Sequence, residues 1–156
     1  DSRPSSGAMI LAVHKGRVPG YSNVGKNFVA VKDVATAMAN AITMGRIGEC
    51  YIVGNKNLSY KDAFALIAET IGAKTPTRKL NDFMVQSYGR MNSFFAGVFG
   101  YYPGITKELA KISTENHYYS AEKAQRELQM PQTPLEVAIK ECFDWFKENN
   151  YLDKKQ

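Results

Sequence analysis

A chain of 156 residues, 44% hydrophobic and 22% charged, has the composition of an ordinary globular protein and is long enough for one real core. No apolar run nears the roughly 20 residues that span a bilayer. The net charge of +5 comes from scattered lysines and arginines with no basic helix interleaved with exposed aromatics, which argues against a nucleic-acid partner.

The first residues, DSRPSSGAMI, carry neither an initiator Met nor a charged-then-apolar leader pattern, so they read as a cut beginning with no targeting segment. Residues 26–31, KNFVAV, predict a short strand. Asp33 then reads as the N-cap of the helix VATAMANAITM, which stops at Gly45. Residues 50–54, CYIVG, predict a second, buried strand.

Ser59 opens the next helix, with Asp62 three positions on, and Phe64, Ile67, Ala68 and Ile71 fall at helical spacing before Gly72. Residues 76–80, PTRKL, read as a short strand. Asp82 caps an aromatic segment reaching Phe99, and Thr106 caps a short helix through Ile112. Ser120 caps AEKAQREL. Thr133, Pro134 and Glu136 make a strong helix start, with a hydroxyl cap, a proline at the first helical position and a carboxylate reaching back. Leu135, Ala138, Ile139, Cys142, Phe143 and Phe146 form the apolar stripe of that last helix. Cys50 and Cys142 lack any metal-ligand spacing and read as free, buried thiols in a reducing cytosol.

Tyr119 and Lys123, in YSAEK, have the Tyr-x-x-x-Lys spacing of the catalytic pair in short-chain dehydrogenase/reductases. There the lysine helps lower the phenol pKa for proton transfer. A cap at Ser120 puts Tyr119 before the helix and Lys123 inside its first turn, so the two do not share a helical face. Tyr119 reads as an apolar staple and Lys123 as a solvated surface residue. A working pair also needs a glycine-rich turn between a strand and a helix to receive a dinucleotide pyrophosphate. The nearest match, GVFGYYPG at 97–104, has the wrong glycine spacing and follows an aromatic run with a helical pattern.

Residues 25–72, GKNFVAVKDVATAMANAITMGRIGECYIVGNKNLSYKDAFALIAETIG, together with PGIT, YYSAEKAQREL and TPLEVAIKECFDWFKENNYL, resemble the C-terminal half of the extended short-chain dehydrogenase/reductases. This is the NAD-dependent epimerase/dehydratase superfamily, and the similarity is to its dihydroflavonol-reductase-like branch. The resemblance implies an α/β fold, mostly helical with a few short strands, in which residues 1–156 are the substrate-binding half of a longer enzyme. It makes CYIVG the last strand of a nucleotide-binding sheet that lies otherwise upstream. NAD or NADP, the catalytic Tyr-Lys pair and the glycine-rich loop all belong to the upstream half, so no catalytic, cofactor-binding or metal-binding residue is expected in this chain. The implied parent is a cytoplasmic NAD(P)-dependent oxidoreductase that exchanges hydride with a carbonyl/alcohol group of a small apolar molecule. The alternatives are a nucleotide-sugar epimerase or dehydratase, and a non-catalytic interaction module.

The same resemblance names candidate substrate contacts. Arg3, Pro4, Ser5 and Ser6 fall where the family's chain passes from the nicotinamide pocket to the substrate domain, and Arg3 reads equally as a substrate contact and as a solvated loop residue. Tyr21 and Asn23 lie in the loop at the pocket mouth. Lys26 stands seven residues before Asp33, where nucleotide-sugar epimerases place an arginine on the substrate diphosphate. Lysine keeps the charge without the two-pronged geometry, and an exposed side chain is the simpler reading. Ala30 and Lys32 depart from the family's histidine and acidic residue. The aromatic segment 83–102 either reaches an apolar substrate, lies on a membrane surface, or packs against the upstream half, the last being favoured by apolar residues nearly all around it. Without that half, a strand edge and an aromatic face would be open to self-association.

Overall fold

The computed structural model describes residues 7–22, 24–80 and 115–152. The expected elements in 81–114, including the Asp82 and Thr106 caps and the aromatic run, lie outside the described residues. In chain order the elements are α1 (Gly7–His14), β1 (Gly25–Phe28), α2 (Val31–Met44), β2 (Lys56–Ser59), α3 (Tyr60–Ile71), α4 (Glu122–Glu127) and α5 (Leu135–Glu148). Among the described residues no helix is long and apolar enough to cross a membrane.

The two strands pair antiparallel in the register Gly25↔Ser59, Lys26↔Leu58, Asn27↔Asn57 and Phe28↔Lys56. Gly25 is required there: a Cβ would collide with the Leu58 carbonyl and the Tyr118 hydroxyl. Helices α1, α3 and α5 pack on one another around Ile10, Leu11, Val13, Phe64, Ile67, Ala68 and Phe146. A second cluster joins Ala37 of α2 to Ala124, Leu128 and Met130 in and after α4, with Tyr51 and Val53 packed against it.

Helix α3 follows its sequence signals closely. The Ser59 hydroxyl accepts from the Asp62 N–H at 3.1 Å, and Gly72 closes the helix in the left-handed region at φ 67°. Helix α5 buries Leu135 and Phe146, with Ala138, Ile139, Cys142 and Phe143 part-buried along the expected stripe. Helix α1 was not foreseen, because GAMILAVH is apolar on nearly every side and so shows no helical period.

Several local expectations are corrected. The first strand ends at Phe28, and Ala30, in extended geometry with no side-chain bond, is the N-cap of α2. Asp33 is therefore inside the first turn. Its carboxylate accepts from the Thr133 N–H and Oγ1–H, so Thr133 is not the cap of α5 either; that position is Pro134. Residues 50–54 are not paired as a strand. Cys50 and Ile52 are exposed, and the backbone of 51–53 makes no hydrogen bond to another described residue. A β-prone run becomes a strand only where a neighbour takes its N–H and C=O groups. Residues 76–80 contribute a single bridge, Tyr21↔Lys79, and the strand that does form, β2, begins in the polar NKN stretch that follows CYIVG.

Candidate functional site

The alternation of β1 divides its residues between two faces. Gly25 and Asn27 point to one side. Lys26 and Phe28 point to the other, with the Lys26 Nζ 5.1 Å from the centre of the Phe28 ring. Leu58, opposite Lys26 in the register, shares their face. That face borders an open groove of about 970 Å³, walled by Met9 and Ile10 of α1, Ile67 of α3 and Trp145 of α5, with Phe28 and Leu58 from the strands. The lining is mostly apolar. An ion pair between Lys32 and Glu141 at 2.8 Å sits on its rim.

The free edge of β1 is covered by residues 116–119. The Asn27 N–H donates to the His117 carbonyl at 2.9 Å, the His117 N–H to the Gly25 carbonyl at 2.9 Å, and the Gly25 N–H to Asn116 Oδ1 at 2.9 Å. This makes a parallel bridge between Lys26 and His117. On the far face, Asn27 Nδ2 donates to Asn57 Oδ1 at 2.7 Å, while Asn57 Nδ2 and Oδ1 hold the Tyr119 carbonyl and N–H, each at 3.1 Å. Asn27 Oδ1 also accepts from the Asn55 N–H at 3.0 Å. Two asparagines facing each other on paired strands are costly by β-propensity. Here they act as a clamp on a third segment, and that unfavourable pairing is the sequence signal that could have revealed it.

Of the anticipated contacts, Arg3, Pro4, Ser5, Ser6 and Asn23 lie outside the described residues. Tyr21 exchanges backbone hydrogen bonds with Arg78 and Leu80 and packs against the main core. Lys26 is part-buried rather than exposed, and desolvation pushes its pKa below the ordinary lysine value. Phe28, Leu58 and His117 were not anticipated.

Tyr119 precedes α4 and Lys123 lies in its first turn, as expected, but the surroundings of both side chains differ from the expectation. Tyr119 is exposed, held through its backbone rather than stapled. Lys123 is part-exposed and engaged rather than simply solvated: its ammonium donates to Glu49 at 2.6 Å and to the Cys50 carbonyl at 2.9 Å, and lies 4.4 Å from the centre of the Tyr51 ring. It ties the turn before residues 50–54 to α4. The two thiols also differ. Cys50 is exposed, whereas burial raises the pKa of Cys142.

No family model matches the chain. It is 27% identical over 157 residues to a protein of Synechocystis sp. provisionally named dihydroflavonol 4-reductase, a match covering 97% of this chain and 46% of that one. Among solved structures it is similar to gox2253, with a TM-score of 0.77 and 31% identity over 97% of this chain and 46% of that one. It is also similar in fold to PA4631, a nucleoside-diphosphate-sugar epimerase from Pseudomonas aeruginosa, with a TM-score of 0.75 and 24% identity over 96% and 44% of the two chains. More distant fold neighbours were determined with NAD or NADP(H) bound. The chain thus spans about half the length of the proteins it matches. In sequence and fold it resembles the C-terminal portion of the extended short-chain dehydrogenase/reductases, the NAD-dependent epimerase/dehydratase superfamily, on its dihydroflavonol-reductase-like side.

Proposed function

We propose that residues 1–156 are the substrate-binding part of a cytoplasmic NAD(P)-dependent oxidoreductase that acts on a carbonyl/alcohol group of a small apolar molecule. The observation that carries this reading is the groove beside β1, an apolar trough with one desolvated cation, Lys26, on the bordering strand face. Such a trough fits an apolar body and a single polar anchor. A nucleotide-binding half would supply NAD(P), whose nicotinamide exchanges the hydride, and the proton donor. This chain's own residues bind and orient the substrate and exclude water around it. The unpaired backbone at 51–53 fits a place at the edge of that half's sheet.

A second reading, a nucleotide-sugar epimerase or dehydratase, is favoured by the position of Lys26 alone. Against it stands geometry: an ammonium offers a point charge where a diphosphate is best held by a planar fork.

Calorimetric titration of this chain with NAD(H) and NADP(H) should give no saturable binding, since no glycine-rich strand-to-helix turn occurs in its sequence. Joining it to the nucleotide-binding half of the Synechocystis relative should then give NAD(P)H oxidation with aryl ketones. Turnover with UDP-sugars and none with ketones would replace the first reading by the second. Micromolar dinucleotide affinity in this chain alone would overturn the division of labour between the halves.

A further inference from the structure

We propose that Trp145 is the specificity-determining residue of the groove: its indole N–H donates to a neutral oxygen, a carbonyl or an ether, on a planar aromatic ligand whose body lies along Phe28 and Leu58. The inference deepens the substrate-binding reading above and rests on it for the identity of the groove.

Three observations carry it. Trp145 lines the groove from α5 and is 38% exposed, a large ring left part-open, whereas Ile10 and Ile67 on the neighbouring helices are buried. Its orientation is set from the protein side by two other rings: Phe146 meets it edge-on at 5.7 Å and 69°, and Tyr151 lies tilted at 5.3 Å and 40°. The indole N–H itself has no hydrogen-bond partner among the described residues.

The other polar side chains of the lining are engaged or of the wrong kind. Lys32 and Glu141 bind each other, Asp144 accepts from Lys140, Glu148 offers only acceptors, and the Cys142 thiol is a weak donor. The indole is thus the unpaired neutral donor of this wall. Carboxylates flank it on the same helix and disfavour an anion there, so the acceptor that matches it is a neutral oxygen. A rigid ring wall favours a planar ring against it, stacked with an offset or edge-on, and a groove of about 970 Å³ takes a body of that size.

Equilibrium dialysis of the 156-residue chain with two probes of one shape, 2-acetylnaphthalene and 2-isopropylnaphthalene, isolates the oxygen, which the second probe lacks. Trp145→Phe keeps a ring and removes the N–H. It should weaken the ketone about fivefold, the size of one neutral hydrogen bond, and leave the hydrocarbon unchanged, which also shows that the groove is intact. A second measurement needs no variant to fold. The chain has a single tryptophan, so its indole N–H gives one side-chain peak in a proton–nitrogen correlation spectrum. The ketone should move that proton downfield and the hydrocarbon should not. No saturable binding of either probe to the wild-type chain, equal losses of both probes in Trp145→Phe, or an indole peak that the ketone leaves in place would each overturn the proposal. None of these readouts needs turnover. An inactive joined enzyme with the indole contact intact would count against the proposed reductase alone, and an active one whose ketone affinity ignores Trp145→Phe would overturn the Trp145 contact alone.

Discussion

Asp33 and Thr133, a hundred positions apart, are joined by two hydrogen bonds: the Asp33 carboxylate accepts from the Thr133 N–H at 2.8 Å and from its hydroxyl at 2.6 Å. Asp33 is only 2% exposed, so the first turn of α2 carries a buried carboxylate whose donors come from the approach to α5. The positive end of the α2 dipole also favours the charge there. The pair locks the first turn of α2 to the segment that leads into α5.

Removing the acceptor strands two part-buried donors, which is costlier than removing one donor. Asp33→Ala should therefore lower stability by about 3 kcal/mol and Thr133→Val by about 1 kcal/mol, since the backbone bond survives in the second. Urea unfolding of both variants measures the difference. Equal and small losses would show that the pair is incidental.

Lys26 sits under the opposite balance. Burial depresses its pKa, and the Phe28 ring, 5.1 Å from the ammonium, gives a cation–π contact of about 0.5–1 kcal/mol. Lys26→Met keeps the volume and removes the charge. It should unfold at the same temperature as the wild type or a higher one, as expected where a residue is kept for binding rather than stability. A loss above roughly 1 kcal/mol would make Lys26 a structural residue.

The parts of this architecture that were legible in the sequence are those set by local chemistry. Ser59, Asp62 and Gly72 fix both ends of α3, and the stripe from Leu135 to Phe146 fixes the buried face of α5. The parts that were not legible are those set by distant partners. Asp33 looks like a cap until Thr133 arrives to occupy it, and CYIVG has strand composition but no described neighbour to pair with. At the site, Lys26 could be named from a resemblance, whereas His117 comes beside it only through backbone bonds spanning some ninety residues.

Lys123 and Tyr119 provide a direct contrast between a structural lysine and a motif coincidence. The Lys123 hydrogen bond, then its charge and that of Arg46, hold the Glu49 carboxyl below its ordinary value of 4.5. A carboxylate depressed in the folded state stabilises above its unfolded pKa and loses that contribution as pH falls through the folded one. Amide exchange in residues 46–50 should therefore quicken as pH drops below about 4.5, after correction for intrinsic rates. Lys123→Met should quicken it already at neutral pH, whereas Tyr119→Phe should leave it unchanged. In an active joined enzyme both variants should keep turnover near wild type, and a hundredfold loss in Tyr119→Phe would restore the phenol as a general acid.

Helix α2 has two apolar faces, and only one is covered within the described residues. Ala37 is fully buried against α4, while Val31, Met38 and Ile42, seven and four residues apart and so on one stripe, are 80%, 66% and 86% exposed. Ile52 adds to the uncovered apolar surface at 52% exposure, in the segment whose backbone is unpaired. Each such side chain, once buried, contributes about 1.5–3 kcal/mol, so several together can hold a contact between copies. The chain on its own should therefore self-associate with rising concentration in light scattering. Met38→Glu combined with Ile42→Lys should return it to a monomer without lowering its unfolding temperature, because neither side chain packs inside. If the wild-type chain stays monomeric throughout with a sharp thermal transition, the outer face of α2 needs no partner, and this half of the fold is an autonomous domain.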